Sequence, residues 1–296
     1  MGARPLAATA PGIDGMPPHS PSILDFNMPQ AISEQSRGPF EGGQTTIPPL
    51  QGQARPVQEK LALAIPTLRE AENIGGLLGR IRLALDPVGF PYEILVVDDD
   101  SRDGTEEAVS AISRQDPRVR LLIRKGERGL SGAILYGWQR TDATILGVMD
   151  ADLQHPPELL PKLLAAIREG ADVAIGSRYA SGGELGEWNR TRKLLSVIAV
   201  WATLPLQKAG CRAKDPMTGF FLVRRSCIER VSFQRSGFKL LLEVLVRGRI
   251  GSVKEVPFAF GLRSMGASKA GCKVGWDYAR LLARLYAGKL GLDRRA

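Results

Sequence analysis

VMDADLQHPPE, residues 148–158, ends the apolar run ATILGVM (143–149) with two carboxylates one residue apart, Asp150 and Asp152. A strand that reaches its end through such a run is largely buried. Two neighbouring carboxylates in a partly dry place repel, and one takes up a proton unless a cation lies between them. The alternative is a solvated turn, since Asp and Pro are common loop residues. The flanking sequence decides. Further β-rich runs stand at LALAIP (61–66), YEILVVD (92–98), VRLLIR (119–124) and ADVAIGS (171–177), separated by helical spacing near 71–85, 103–114, 128–140 and 157–169. This alternation predicts an α/β fold, a mostly parallel sheet covered by helices on both faces. Ligands of such sheets bind outside the carboxyl ends of the strands. The charges gather there: Glu70 after the first run, Asp98 to Asp100 after the second, Asp150 and Asp152 after the fourth, Arg178 after the fifth. One site is assembled from several strand ends.

The 296 residues, 44% of them hydrophobic, suffice for one large domain. Ten of the twenty prolines fall in the first sixty residues without periodic apolar spacing, so residues 1–57 are expected to be a disordered Pro/Gly-rich leader. Residues 58–290 are expected to form the folded domain that carries the site and 291–296 a tail. The first sixty residues hold four Lys/Arg and five Asp/Glu; the whole chain carries +9, so the body is strongly basic. A basic body suits nucleic acid, an anionic membrane or a phosphorylated substrate. No nucleic-acid-binding signature accompanies it, and nucleic acid is not an expected partner. Cys211, Cys227 and Cys272 are widely spaced, as free thiols of a reducing compartment would be. LLSVIAVWATLPL (194–206) is shorter than the roughly 20 residues that span a bilayer. It follows Arg190, Arg192 and Lys193 and reads as a buried helix or as one lying on lipid headgroups. WDYARLLARLYAGKLGL (276–292) has a similar character.

In unbroken order the chain carries IPTLREAENI (65–74), VVDDDSRDGT (96–105), RGLSGAILYGW (128–138), MDADLQHPPE (149–158) and GSRY (176–179). GEWNRTRKLLS (186–196), DPMTGFFLVRRS (215–226) and VPFAFGLRSMGASK (256–269) follow. In these motifs it resembles the family 2 glycosyltransferases of the GT-A fold, and among them the dolichol-phosphate (polyprenyl-phosphate) mannosyltransferases. The resemblance implies an inverting, metal-dependent transfer of mannose from GDP-mannose to a polyprenyl phosphate. It implies Mg²⁺ or Mn²⁺ held by Asp150, Asp152 and Gln154, which would face one way on an extended segment. It implies nucleotide-sugar contacts from Pro66, Leu68, Glu70, Val97, Asp99 and Ala151, and basic contacts to phosphates from Arg178, Arg263 and Lys269. Arg192 and Lys193 are weaker candidates, and Asp215 and Glu243 could equally be structural partners of nearby Arg.

The chemistry fits these residue types. A nucleoside diphosphate leaving group needs neutralising, and each unit-charge pair at about 4 Å contributes about 4 kcal/mol at an effective dielectric near 20. Arg engages phosphate through two donors at once, whereas Lys is a compact charge. A sugar hydroxyl acceptor calls for a base, but the only histidines are His19 and His155. A lipid phosphate is already nucleophilic at neutral pH. That favours a phosphate acceptor. The resemblance also implies a protein on the cytoplasmic face of a membrane, bound peripherally, with room for membrane-protein partner subunits. Two alternatives stay open: a UDP-sugar donor, since Leu68 stands where an aromatic is more usual, and a catalytically silent nucleotide-sugar-binding subunit.

Overall fold

The structure is a computed structural model that describes residues 43–50, 58–180, 197–237, 239–259 and 272–291. Its strands are β1 (Gln44–Thr46), β2 (Leu61–Thr67), β3 (Tyr92–Asp98), β4 (Val119–Ile123), β5 (Ile145–Val148), β6 (Val173–Ser177), β7 (Phe221–Arg224), β8 (Ser232–Gln234) and β9 (Val253–Pro257). The helices are α1 (Ala71–Leu85), α2 (Thr105–Ser113), α3 (Leu130–Trp138), α4 (Leu160–Arg168), α5 (Leu240–Arg247) and α6 (Cys272–Lys289), with a short helical turn at Arg225–Ile228.

Seven strands form one sheet in the order β4-β3-β2-β5-β7-β6-β9. The pairs β4–β3, β3–β2, β2–β5 and β6–β9 are parallel, whereas β7 runs antiparallel to both β5 and β6. The sheet is therefore mixed rather than uniformly parallel. The run FFLVRR gives no sign of strand direction, because a doubly buried strand reads as a plain apolar run whichever way it points.

The period of two along each strand sorts the core. Leu61, Leu63 and Ile65 of β2, with Ile94 and Val96 of β3, pack against Ile74, Leu77, Leu78 and Ile81 of α1 and against Leu160 and Leu163 of α4. The alternate residues Ala62, Ala64, Leu95 and Val97 face Ala133, Ile134 and Trp138 of α3 and Leu241 and Val244 of α5. Helices cover both faces as expected. Small residues let α3 come close: a Cβ on Gly137 would lie 3.0 Å from Val97 Cγ2 and 3.7 Å from Ala64 Cβ. Helix α1 tightens after Leu85 into the turn Asp86–Val88, with Asp86 still at right-handed helical angles, and Gly89 in the left-handed region (φ 65°) closes it.

The leader expected over 1–57 is corrected at its end. Gln44–Thr46 forms β1 and pairs antiparallel with Ser232–Gln234 of β8. Ile47 is fully buried in the core that faces α3, a burial that contributes about 1.5–3 kcal/mol. Three residues of QTT carry no pattern of their own; the pairing comes from a partner almost two hundred positions away. Arg225, also buried, donates to the carbonyls of Trp138, Ala143, Thr141 and Pro48, tying this segment to the sheet's lower edge.

Candidate active site

The carboxyl ends of β2, β3 and β5 open onto a cleft of about 360 Å³. Pro66, Thr67, Leu68 and Glu70 line it from the end of β2, Asp99 from the end of β3, and Asp150, Ala151 and Asp152 from the end of β5. Gly129, Leu130 and Ala133, at the start of α3, form the remaining wall. Seven of the residues singled out from sequence are thus brought together: Pro66, Leu68, Glu70, Asp99, Asp150, Ala151 and Asp152.

The turn after β3 is held by its own first carboxylate. Asp98 accepts from Thr67 Oγ1 at 2.8 Å, from Ser101 N at 2.8 Å and from Ser101 Oγ at 2.5 Å, which joins the ends of β2 and β3. Asp99 is then presented beside the cleft. Its Oδ1 accepts from Arg124 Nε at 2.7 Å, and its Oδ2 from the Gly129 amide at 2.9 Å. Arg124 is itself buried, and its Nη2 donates to the Gly129 carbonyl. Asp99 therefore fixes the rim of α3 as well as facing the cavity.

Asp150 and Asp152 sit on a bent segment. Leu153 has φ 62°, in the left-handed region, and the Gln154 amide donates to Asp152 Oδ1 at 3.2 Å. The expectation that 150, 152 and 154 share a face of an extended segment is corrected. The carboxylates line the cleft, and Gln154 is not among the residues that do. The Asp150 carboxylate lies flat on the backbone of Gly219. A Cβ there would come within 2.5 Å of Oδ2 and 2.7 Å of Oδ1. This is a cradle that only glycine leaves open. Hard, neighbouring oxygens at a cavity wall are the donor set that Mg²⁺ or Mn²⁺ takes. Among the described residues no group of three or more His, Cys, Asp and Glu could hold a metal by itself. Two carboxylates alone would leave coordination positions for phosphate oxygens.

Behind Asp150, His155 is 3% exposed, and its Nδ1 is 3.7 Å from Asp150 Oδ2. Its ring lies near those of Phe220 and Phe258, at centroid distances of 5.3 and 5.7 Å. Burial, and then the charges of Arg178 and Lys239, push its pKa down to about 3. It is a neutral, buried neighbour of the site and not an exposed base.

Arg178, just past β6, is held by Asp215. Its Nε and Nη2 donate to the two carboxylate oxygens at 2.8 Å each, and its backbone amide adds a third bond at 3.1 Å. Burial is the largest influence and works to lower its pKa, but the hydrogen bonds and charge of Asp215, with the charges of Tyr179 and Asp150, together hold it raised. Asp215 is thus the structural partner of an Arg, one of the two roles its sequence allowed. Glu243 is likewise buried and accepts from the Gln234 amide at 3.1 Å. Val97 is corrected as a donor contact: its side chain is fully buried beneath α3. Arg192, Lys193, Arg263 and Lys269 lie outside the described residues.

Lys239 escaped the sequence reading. It precedes the first residue of α5, and its Nζ donates to the Met217 carbonyl at 3.2 Å. Burial, and then the charge of Arg178, lower its pKa, while Asp150 and Asp215 act to raise it. The loop 215–219 therefore gathers three contacts: Asp215 on Arg178, the Met217 carbonyl on Lys239, and Gly219 on Asp150. A signal was available. A lysine at a helix N-terminus opposes the helix dipole, and such a placement calls for a reason.

The model of the family described as "Glycosyl transferase family 2" matches residues 62–232, the part of the chain that builds this cleft. The chain belongs to glycosyl transferase family 2. Within that family it is 44% identical over 236 residues to a dolichol-phosphate mannosyltransferase of Pyrococcus furiosus; the match covers 79% of this chain and 66% of the archaeal one, just under two thirds of its length. A dolichol-phosphate mannosyltransferase of Saccharomyces cerevisiae is 37% identical over 242 residues, 78% of this chain and 89% of the yeast one. The fold is that of the GT-A glycosyltransferases. Glucosyl-3-phosphoglycerate synthase of Mycobacterium tuberculosis, solved with Mn²⁺, UDP-glucose and glycerol 3-phosphate, superposes with a TM-score of 0.56 at 16% identity, over 79% of this chain and 80% of that one. In this family 2 transferase, among the described residues, no helix is long and apolar enough to cross a membrane.

Proposed function

We propose that this family 2 transferase moves a mannosyl group from GDP-mannose to a polyprenyl (dolichyl) phosphate with inversion at the anomeric carbon. The observation that carries the reading is the meeting of Asp150 and Asp152 with Pro66, Leu68, Glu70 and Asp99 around one cleft at the strand ends. The base and ribose are assigned to the β2 and β3 ends, and the diphosphate to the Asp150–Asp152 end.

Asp150 and Asp152 would hold Mg²⁺ or Mn²⁺, which when bound neutralises the diphosphate leaving group. The protein's own groups do the rest. A phosphate oxygen of the acceptor attacks the anomeric carbon and forms the new C–O bond. The bond from that carbon to the diphosphate oxygen breaks, and its electron pair leaves with GDP. No proton has to be removed from the acceptor, which suits a site whose buried histidine stays neutral. Arg178, fixed by Asp215, and Lys239, fixed by Met217, bring positive charge within reach of Asp150, and the acceptor phosphate is assigned to that side. Such charges are set in place before the reaction and cost no reorganisation during it.

A lipid acceptor needs a surface that reaches lipid. The helical run 197–201 and α6 lie together, joined by hydrogen bonds from Tyr278 to the Ala199 carbonyl and from Tyr286 to the Ala202 carbonyl. Trp201 is 69% exposed, Trp276 65% and Leu290 71%, and Arg280 lies over the Trp276 ring. Exposed tryptophans beside basic side chains suit a peripheral seat on anionic headgroups.

A second donor is favoured by one observation. Leu68 lines the cleft with an aliphatic side chain, so stacking does not select the base and UDP-linked sugar stays an option. Incubating the protein with Mg²⁺ or Mn²⁺, polyprenyl phosphate and labelled GDP-mannose or UDP-glucose tests both. Organic-extractable label is expected from GDP-mannose and is expected to vanish in Asp152→Ala. Label from UDP-glucose alone would replace the donor, and none from either would end the reading.

A further inference from the structure

The family model begins its match at residue 62, yet the segment before it is built into the wall beside the cleft. β1 pairs with β8, and the chain leaving β8 turns along the start of α3: the Gly237 carbonyl accepts from the Ser131 amide at 3.1 Å. The Arg235 carbonyl lies 3.0 Å from where a Cβ of Gly132 would stand. The turn after β8 therefore backs Ser131 and Gly132, next to the rim residues Gly129 and Leu130, and its Arg235 carbonyl would stand 3.8 Å from a Cβ on Gly129. β1 in turn backs β8, and the Arg235 amide donates to the Gly43 carbonyl at 3.4 Å.

A second route runs through side chains. Asp99 accepts from Arg124 Nε at 2.7 Å, and Arg124 Nη1 donates to Glu127 Oε2 at 3.2 Å. Glu127 Oε1 is 3.9 Å from Arg235 Nη1, and Arg235 Nη2 donates to Thr45 Oγ1 at 3.5 Å. Thr45 is the far end of a chain that begins in the cleft. It is buried, and its Oγ1 also accepts from Gln139 Nε2 at 2.7 Å. The segment cannot slide, because Ile47 is buried, the Ile47 carbonyl takes the Arg230 amide at 2.8 Å, and the Pro48 carbonyl takes Arg225 Nη1 at 3.3 Å.

We propose that Gly43–Pro48 is a positioning strap of the donor site, holding Asp99 and the Gly129–Leu130 rim in place through Thr45 and β8. The proposal rests on reading the cleft as the donor site. It makes a part of the chain outside the family-matched region responsible for donor affinity. Thr45 touches no substrate; it acts through Arg235, Glu127 and Arg124.

Thr45→Val in the full-length chain keeps the β-branched shape and removes the hydroxyl. The dissociation constant of GDP with Mg²⁺ by calorimetry, both KM values, kcat and the melting temperature are measured beside Thr45→Ser. Loss of a pair of modest hydrogen bonds at the end of the chain is expected to raise the GDP dissociation constant and the donor KM about 3- to 10-fold. The acceptor KM and kcat are expected to stay within about twofold, and Thr45→Ser to restore donor affinity. Ile47→Val, which loosens the strap by one methyl group at a different contact, should shift donor affinity in the same direction. Wild-type donor affinity in both variants overturns the proposal, even with a lowered melting temperature. So does an equal loss toward donor and acceptor, the mark of a merely structural segment. If the wild-type protein binds neither GDP nor UDP, the donor reading of the cleft falls, and the strap with it.

Discussion

Two cavities of similar size lie at opposite ends of the sheet, about 360 Å³ at the carboxyl ends of β2, β3 and β5 and about 400 Å³ beside the amino end of β3. Both are lined by charged residues, and they use them in opposite ways. Around the second, charges close on one another, with half-exposed cations capping the carboxylates. Asp86 accepts from Tyr92 Oη and from Arg118, Arg118 also holds Asp116, and Glu93 takes both Lys60 and Arg120 at 2.8 Å. Around the first, the ion pairs are buried in the walls: Arg124 on Asp99 with 3% and 6% of their side chains exposed, Arg178 on Asp215 with 12% and 0%. The Asp99 pair braces the Gly129 rim, and the Asp215 pair anchors the loop whose Gly219 backs Asp150. Volume and charge do not separate the two places. What separates them is whether the ion pairs end in themselves or brace something else.

That contrast can be broken most severely at Asp152. Asp152→Ala is expected to lower kcat on the order of 10³-fold with the melting temperature nearly unchanged, measured as transfer to polyprenyl phosphate. Next comes Lys239→Met, which removes a charge-assisted contact worth about 1.5–3 kcal/mol and should lower kcat/KM for the acceptor roughly 10- to 100-fold, while leaving GDP affinity in place. Gly132→Ala tests the buried scaffolding. Its new Cβ would stand 2.6 Å from Arg124 Nη1, so a loss of about 1–3 kcal/mol in denaturant unfolding, together with a raised donor KM, is expected. His155 gives a pH signature. With its folded pKa near 3 against an ordinary 6.5, the unfolded chain takes up the proton first as pH falls below 6.5. Stability present above pH 6.5 should therefore drain away toward pH 3, and His155→Phe should make that decline shallower in a pH series of unfolding midpoints. The smallest effect belongs to the other end of the sheet. Arg120→Met should cost at most about 1 kcal/mol and leave turnover as it is, because Arg120 is half-exposed and the buried Glu93 keeps Lys60 and Thr141 as partners.

The cleft was legible because its residues sit where strands stop, and strand ends are visible as the switch from apolar runs to carboxylates. Glu70, Asp99, Asp150 and Asp152 could be placed together from that switch alone, whereas Pro66 and Leu68 came with the family resemblance. Val97 was misplaced by its neighbours. It shares a motif with Asp99, but alternation along β3 turns its side chain under α3. Gln154 was misplaced by assuming an extended chain, which the left-handed Leu153 breaks. β1 and the direction of β7 were illegible for a different reason. Both are settled by partners distant in sequence, β8 for the one and β5 with β6 for the other, and no local pattern records a distant partner.

The reversed strand β7 has a bearing on how the molecule is made. β6 is complete at Ser177, but both of its neighbours come later: Phe221–Arg224 on one side and Val253–Pro257 on the other. A chain emerging from the ribosome amino end first carries this apolar strand with both edges bare until those segments follow. Bare edges of that kind invite pairing with other chains. Slowing synthesis between residues 178 and 257 should therefore raise aggregation of the nascent protein more than the same delay placed before residue 145.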